Sequence, residues 1–228
     1  MSNNNSHKRV NDILLGPLER PALQWLSARM PSWATPDVLT GIGVLGALIT
    51  MLGYIASNIN PIYLWFASFG FIVNWFGDSL DGTLARYRHI ERPKYGFYID
   101  HTIDAFCQVL IFLGLGISPY ISFNLACLAL IAYLLLSVLV YVRTFVLGEF
   151  RISFSKLGPT EIRLIAIILN TGMYFGGQQT HAYALGAITK VTLNVYDLVV
   201  AAVALLLLGF FITNGLQTAR LLLKMGED

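Results

Sequence analysis

Charge is scarce in this sequence. Asp, Glu, Lys and Arg make up 12% of the 228 residues, against about 25% in an average soluble domain. Hydrophobic residues make up 56%, and no polar segment is long enough to form a soluble domain of its own. This composition excludes an ordinary soluble protein and predicts one integral membrane domain.

Cysteine is also scarce, and a continuous apolar leader is absent. Cys107 and Cys127 are the only cysteines. Both fall in apolar runs, where a thiol packs as a small hydrophobic group, so no disulfide framework is expected. The N-terminal segment is polar and is broken by Pro17 and Pro21, so a secretory signal is not expected here. Insertion is therefore expected to depend on the first spanning helix.

Long apolar runs fill most of the chain. A bilayer core about 30 Å thick needs about 20 apolar helical residues to cross it. Six stretches have this length: 37–57, 61–86, 96–117, 121–147, 160–177 and 194–222. The predicted fold class is an all-α integral membrane protein, with six transmembrane helices in one domain over residues 35–228.

The segment before the first span has its own pattern. Apolar residues recur there at helical spacing: Val10, Ile13, Leu14, Leu23, Leu26 and Met30. Trp25, Arg20 and Arg29 lie beside them, which is typical of an amphipathic helix in the membrane interface. We therefore predict a cytoplasmic interfacial segment over residues 1–34, with a solvated leader as the alternative.

The distribution of Lys and Arg tests this topology independently. All 15 of them except Lys190 fall in segments that six spans would place on one side. Cytoplasmic segments next to spans are enriched in these residues. We therefore predict a multi-pass protein with both termini facing the cytoplasm. The same rule accounts for the basic residues, so they do not support nucleic-acid binding.

Four aspartates interrupt the second and third spans. Asp78 and Asp81 share a helix face near the cytoplasmic end of one span, and Asp100 and Asp104 share a face at the start of the next. An aspartate at the bilayer centre costs about 2.5 to 3.5 kcal/mol, and clustered carboxylates repel each other unless cations neutralise them. Oxygen ligands of this kind suit Mg²⁺ or Mn²⁺ shared with phosphate oxygens, so we predict one or two such ions.

Small residues leave one face of the helix open directly after the first aspartate pair. Gly82 and Ala85 carry almost no side chain, and Arg86 comes next. A guanidinium beside a metal and an open helix face is a suitable site for a diphosphate. The alternative is that the small residues only allow close helix packing.

Together these residues resemble the signature of the CDP-alcohol phosphotransferases. The matching positions, in order and at the family's spacing, are Asp78, Asp81, Gly82, Ala85, Arg86, Gly96, Asp100 and Asp104. The six-span layout over 35–225 is also similar, as is TPDVLTGIG at 35–43, with Asp37 where Asn is common.

The resemblance implies a reaction in phospholipid synthesis. A phosphatidyl group or phospho-headgroup would pass from a CDP-linked donor to an acceptor hydroxyl, with release of CMP. The donor would be CDP-diacylglycerol or a small CDP-alcohol, and the acceptor an alcohol or a lipid. The resemblance also implies a homodimer and two divalent metal ions, with the site facing the cytoplasm.

Residue roles follow from the same resemblance. Asp78, Asp81 and Asp100 would bind metal, with Asp104 at the metal as general base. The CDP site would be lined by Gly82, Ala85 and Arg86. His101 makes the sequence Asp-His-x-x-Asp, similar to the variant in eukaryotic choline and ethanolamine phosphotransferases. Its imidazole is a second candidate for the base or for a residue that orients it, and a structural role is the alternative.

A possible acceptor site lies between the fourth and fifth spans. Its candidate residues are Arg143, Arg151, Lys156, Glu161 and Arg163. The cations could bind the phosphate of a water-soluble acceptor, or they could simply satisfy the positive-inside rule. Glu161 could be a favourable charge in the first turn of a helix, or it could reach the metal site.

Two other classes compete with the transferase. An intramembrane prenyltransferase also binds a diphosphate on aspartate-rich helices, but resembles a longer bundle with differently spaced aspartates. A cation or proton transporter uses buried acids as its pathway, but does not need Gly82, Ala85 and Arg86 in register with them. Stabilisation by CDP or CMP with magnesium separates an enzyme from a transporter.

Overall fold

The structure is a computed structural model that describes residues 8–10, 14–147, 149–151, 158–178, 180–185 and 189–226. Within these ranges there are seven helices: α1 Gly16–Ser27, α2 Pro36–Ala56, α3 Tyr63–Tyr87, α4 Pro93–Ile117, α5 Phe123–Leu147, α6 Pro159–Gly176 and α7 Val195–Met225. Short strands also occur: β1 Lys8–Val10 pairs in parallel with β2 Glu149–Arg151, and β3 Thr180–Leu185 pairs in antiparallel with β4 Thr189–Asn194. The chain is thus mainly helical as predicted, and the strands were not predicted.

Four of the six predicted spans are long and apolar enough to cross a membrane. These are α2, α4, α5 and α7. Helices α3 and α6 form at the predicted positions, and both contain charged residues. Asp78 and Asp81 lie within α3, and Glu161 and Arg163 lie near the start of α6. Charged side chains reach the interior from both of these helices, and also from α4, which carries Asp100 and Asp104.

Helices α2 and α3 pack almost backbone to backbone. Helix α2 begins at Pro36, and the side chain of Thr35 accepts a hydrogen bond from the Val38 N–H at 3.3 Å, as is usual for an N-cap. Along the interface, a Cβ atom added to Gly53 would lie 2.5 Å from the Ala67 nitrogen. Close approach of this kind is typical of small residues between membrane helices. It brings the start of α2 against the aspartates of α3.

Helix α1 lies against α3 and the start of α6. Leu23 is buried and packs with Leu39, Leu80 and Leu84. The Glu19 carboxylate accepts hydrogen bonds from the Trp75 indole at 2.8 Å and from the Thr160 hydroxyl at 2.7 Å. The predicted amphipathic helix therefore exists over Gly16–Ser27, and its place in the membrane interface stays a prediction.

Parts of the predicted interfacial segment cannot be compared with the structure. Ile13 lies outside the described residues, and Val10 is described only as the last backbone position of β1. Leu14 and Trp25 are exposed, as a surface facing lipid requires.

Two arginines after α3 form hydrogen bonds and an ion pair with the segment that leads into α2. Arg88 donates to the carbonyl oxygens of Met30, Pro31 and Ala34. Arg92 forms an ion pair with Asp37 at 2.5 Å, and both side chains are about half exposed. Asp37 thus forms a surface ion pair at the start of α2.

Candidate active site

Three carboxylates converge where α3 faces α4. One oxygen each of Asp78, Asp100 and Asp104 lies within 4.8 Å of the others. The reason is local, because Asp100 and Asp104 are four residues apart and stand on one face of α4, directed toward α3. Two oxygens bound to one Mg²⁺ are at most about 4.2 Å apart, twice the Mg–O distance of about 2.1 Å. The donor set therefore fits a divalent cation after a small side-chain rotation.

Asp81 lines the same cavity but is held differently. One of its oxygens accepts the Thr40 hydroxyl at 2.6 Å, and the other accepts the Gly82 N–H. The cavity lies between α2, α3 and α4, and its lining includes all four aspartates together with Thr40, Asn74 and Cys107. The structure thus brings the four predicted aspartates to one cavity, with three of them in ligating range of each other.

The predicted CDP-binding residues follow directly on α3. A Cβ atom at Gly82 would lie 3.4 Å from Nη1 of Arg86. The Arg86 guanidinium therefore lies over the missing side chain of Gly82, and its Nη2 donates to the Thr83 hydroxyl at 3.1 Å. Ala85 is half-buried beside the exposed Arg86. A Cβ atom at position 82 would be in van der Waals contact with this guanidinium.

His101 packs among aromatic rings. Its imidazole stacks on Tyr141 with centroids 4.8 Å apart and meets the ring of Phe97 edge-on at 4.2 Å. Its Nδ1 lies 3.9 Å from an oxygen of Asp100, which is beyond hydrogen-bond distance. The side chain is 14% exposed. The structure therefore places His101 beside the aspartate cavity, between α4 and α5.

Arg163, a candidate for the predicted acceptor site, lies at the aspartates. Its Nη2 donates to Asp78 at 2.6 Å, and its Nε donates to the side-chain oxygen of Asn74 at 2.8 Å. The amide of Asn74 in turn donates to the Gly43 carbonyl at 2.9 Å. Sequence reasoning missed Asn74, although its position four residues before Asp78 places it on the same face of α3.

Of the rest of the predicted acceptor site, the structure describes the side chains of Glu161 and Arg143. Glu161 is buried, and its two oxygens accept the N–H groups of Leu15 at 2.7 Å and Gly158 at 2.9 Å. This geometry corresponds to the helix-terminus interpretation of Glu161 and also ties α6 to the start of α1. Arg143 is half-buried near the end of α5. Lys156 lies outside the described residues, as does the side chain of Arg151, whose backbone belongs to β2.

Comparison with known proteins gives consistent matches. Residues 33–214 match a family model described as CDP-alcohol phosphatidyltransferase. The chain is 34% identical to a phosphatidylinositol phosphate synthase of Cutibacterium acnes over 92 residues, which cover 40% of this chain and 41% of that protein. It is 28% identical to cholinephosphotransferase 1 of Gallus gallus over 164 residues, which cover 68% of this chain and 48% of that protein. The chain thus spans less than half the length of either relative.

Proposed function

Because this chain belongs to the CDP-alcohol phosphatidyltransferase family, we propose that it transfers a phosphoalcohol group from a CDP-linked donor to an acceptor hydroxyl in phospholipid synthesis. The observation that carries the proposal is the convergence of Asp78, Asp100 and Asp104 in one cavity. A membrane-embedded cluster of acids is costly without bound cations. Binding of a diphosphate donor together with such cations would account for this cluster of acids.

Asp78, Asp100 and Asp104 would hold one divalent cation, Mg²⁺ or Mn²⁺, and Asp81 would contribute to a second. Bound there, these ions would neutralise charge on the diphosphate oxygens of the donor. Asp81 already has both oxygens hydrogen-bonded, to Thr40 and Gly82, so its carboxylate is held in one orientation. Arg86, which lies over Gly82, would bind the diphosphate through its fork of N–H donors.

The transfer requires a base at the acceptor hydroxyl. Asp104 would take the hydroxyl proton as the acceptor oxygen bonds to the phosphorus that carries the alcohol group. The bond from that phosphorus to the oxygen of CMP then breaks, so the products are a phosphodiester and CMP. Positioning and proton transfer of this kind are the parts that protein side chains can supply. His101, beside Asp100, is the second candidate for the base.

The substrates are proposed only as a class. One relative is named for phosphatidylinositol phosphate and the other for choline, so the donor is either CDP-diacylglycerol or a small CDP-alcohol. Arg163 and Glu161 are engaged within the protein. Of the five acceptor-site candidates, this leaves Arg143, Arg151 and Lys156 for a phosphorylated acceptor. We propose further that the protein is a homodimer whose termini and aspartate cavity face the cytoplasm.

CMP release tests the proposal. The detergent-solubilised protein is given Mg²⁺ and either CDP-diacylglycerol, CDP-choline or CDP-ethanolamine, each with a mixed pool of polar alcohols and diacylglycerol. Release from one donor identifies the direction of transfer. Asp104→Asn should lower turnover about 10² to 10⁴-fold, the usual contribution of a general base, and keep stabilisation by CDP. If His101→Asn has this effect instead, His101 is the base.

A negative result is also informative. If no donor releases CMP and neither CDP nor CMP raises the unfolding temperature in the presence of Mg²⁺, the transferase proposal is wrong. The buried acids would then favour a cation or proton transporter.

A further inference from the structure

We propose that Arg163 and Asn74 are positioning residues that set the orientation of the Asp78 carboxylate. One Asp78 oxygen accepts a hydrogen bond from the Arg163 guanidinium, and the carboxylate also lies against Asp100 and Asp104 in the cavity. The inference rests on the proposed function for its catalytic meaning, because it concerns a carboxylate assigned to the cation site.

Arg163 donates hydrogen bonds to two side chains of α3 at the same time. Asn74 and Asp78 are four residues apart, so their side chains lie one above the other on α3. Arg163 reaches them from α6, with Nε 2.8 Å from the Asn74 oxygen and Nη2 2.6 Å from Asp78 Oδ2. The Nε–H and Nη2–H groups are fixed relative to each other in the plane of the guanidinium. Binding both acceptors at once therefore fixes the orientation of the guanidinium, which in turn restrains Oδ2 of Asp78.

The Asn74 amide is itself fixed in direction. Its nitrogen donates to the Gly43 carbonyl at 2.9 Å, and its oxygen accepts from Arg163. Turning the amide over would place its nitrogen against the guanidinium donor and its oxygen against a carbonyl oxygen, which would break both hydrogen bonds. Asp78 is thus linked through Arg163 and Asn74 to the backbone of α2, which packs closely against α3.

Burial strengthens the contacts of Arg163 with Asp78 and Asn74. Asn74 is 3% exposed and Arg163 is 8% exposed, and a buried charge must be paired to be stable. Arg163 carries one positive charge beside three clustered carboxylates. It therefore offsets part of their repulsion and keeps Asp78 in place before any ion binds. Residues that orient metal ligands typically change metal affinity or activity about 10- to 100-fold when they are altered.

A simpler interpretation is an ion pair that only holds α6 against α3. Arg163→Lys and Asn74→Leu separate the two interpretations. Lysine keeps the charge but loses the planar fork, and leucine keeps the Arg163–Asp78 pair but removes the second contact. Arg163→Gln is less suitable, because loss of the cation would itself favour binding of a divalent ion and would mask the effect. The matched control is Arg220→Lys, on an exposed position of α7.

The measurement is the thermal unfolding temperature of each detergent-solubilised variant as Mn²⁺ is titrated, without donor. We expect the Mn²⁺ concentration for half-maximal stabilisation to rise about 10- to 100-fold in Arg163→Lys and in Asn74→Leu, and to stay unchanged in Arg220→Lys. In the CMP assay, kcat should fall more than the KM for the donor rises. A purely structural pair would lower the unfolding temperature and leave the Mn²⁺ midpoint and kcat unchanged.

The outcomes also separate this inference from the proposed function. If the wild-type protein releases CMP but the Mn²⁺ midpoints of Arg163→Lys and Asn74→Leu equal that of the wild type, the positioning role is wrong and the proposed reaction is unaffected. Raised midpoints without CMP release from any donor would support the positioning role and overturn the reaction. If Mn²⁺ does not stabilise the wild-type protein, the cation site and the positioning role are both wrong.

Discussion

The backbone contact between α2 and α3 can be tested with two glycines of the same helix. A Cβ atom at Gly53 would lie 2.5 Å from the Ala67 nitrogen and 2.9 Å from its Cα, whereas a Cβ atom at Gly41 meets nothing within 4 Å. The neighbour of Gly53 is backbone and cannot rotate away. Gly53→Ala must therefore separate the helices, whereas Gly41→Ala leaves them in place.

The magnitude follows from two opposing effects. Overpacking a closely packed interior costs about 1 to 3 kcal/mol, and replacing Gly by Ala within a helix gains about 0.5 to 1 kcal/mol. The helix gain is common to both substitutions and cancels in their difference. Gly53→Ala should therefore be less stable than Gly41→Ala by about 1 to 3 kcal/mol.

The assay is reversible unfolding of the purified variants, followed by tryptophan fluorescence. Equal free energies of unfolding for the two variants would refute the close backbone contact. Thr40 of α2 donates to Asp81 of α3, so the α2–α3 distance could also affect the cavity. If Gly53→Ala releases CMP more slowly even at temperatures where it is fully folded, the distance between the two helices also affects the geometry of the cavity.

Two further predictions concern side chains around the cavity. Thr40→Val removes the hydroxyl that donates to Asp81 and should lower CMP release at least about tenfold, since a hydrogen bond to a charged group contributes about 1.5 to 3 kcal/mol. Thr40→Ser should restore most of the activity, and full activity in Thr40→Val would contradict the assignment. Glu161→Ala removes the acceptor for the N–H groups of Leu15 and Gly158 and should lower the free energy of unfolding by about 0.5 to 2 kcal/mol. The Mn²⁺ midpoint should not change in Glu161→Ala, and a large shift would return Glu161 to the metal site.

The sequence was sufficient for features that depend on local spacing. Apolar runs predicted the positions of α2 to α7, because a helix in a bilayer must be about 20 residues long. The facing aspartate pairs were predicted because residues three or four apart share a helix face. The four aspartates do line one cavity.

Features that depend on long-range contacts were not accessible in this way. Arg163 and Asp78 are 85 residues apart, and nothing in the local pattern distinguishes Arg163 from Arg143 as a partner. The contacts of Glu19 with Trp75 and Thr160 were missed for the same reason. The strands were missed because they are short and lie outside the apolar runs on which the prediction rested.

The Arg163–Asp78 pair has a consequence for synthesis of the chain. A ribosome adds about 5 to 20 residues per second, so about 4 to 17 seconds separate the appearance of Asp78 from that of its partner, 85 residues later. During this interval Asp78 of α3 has no Arg163 to pair with, so other contacts must keep α3 in place. The close contact with α2 is available at once, because α2 precedes α3. Biogenesis is therefore expected to proceed through an α2–α3 hairpin that forms before Arg163 is synthesised.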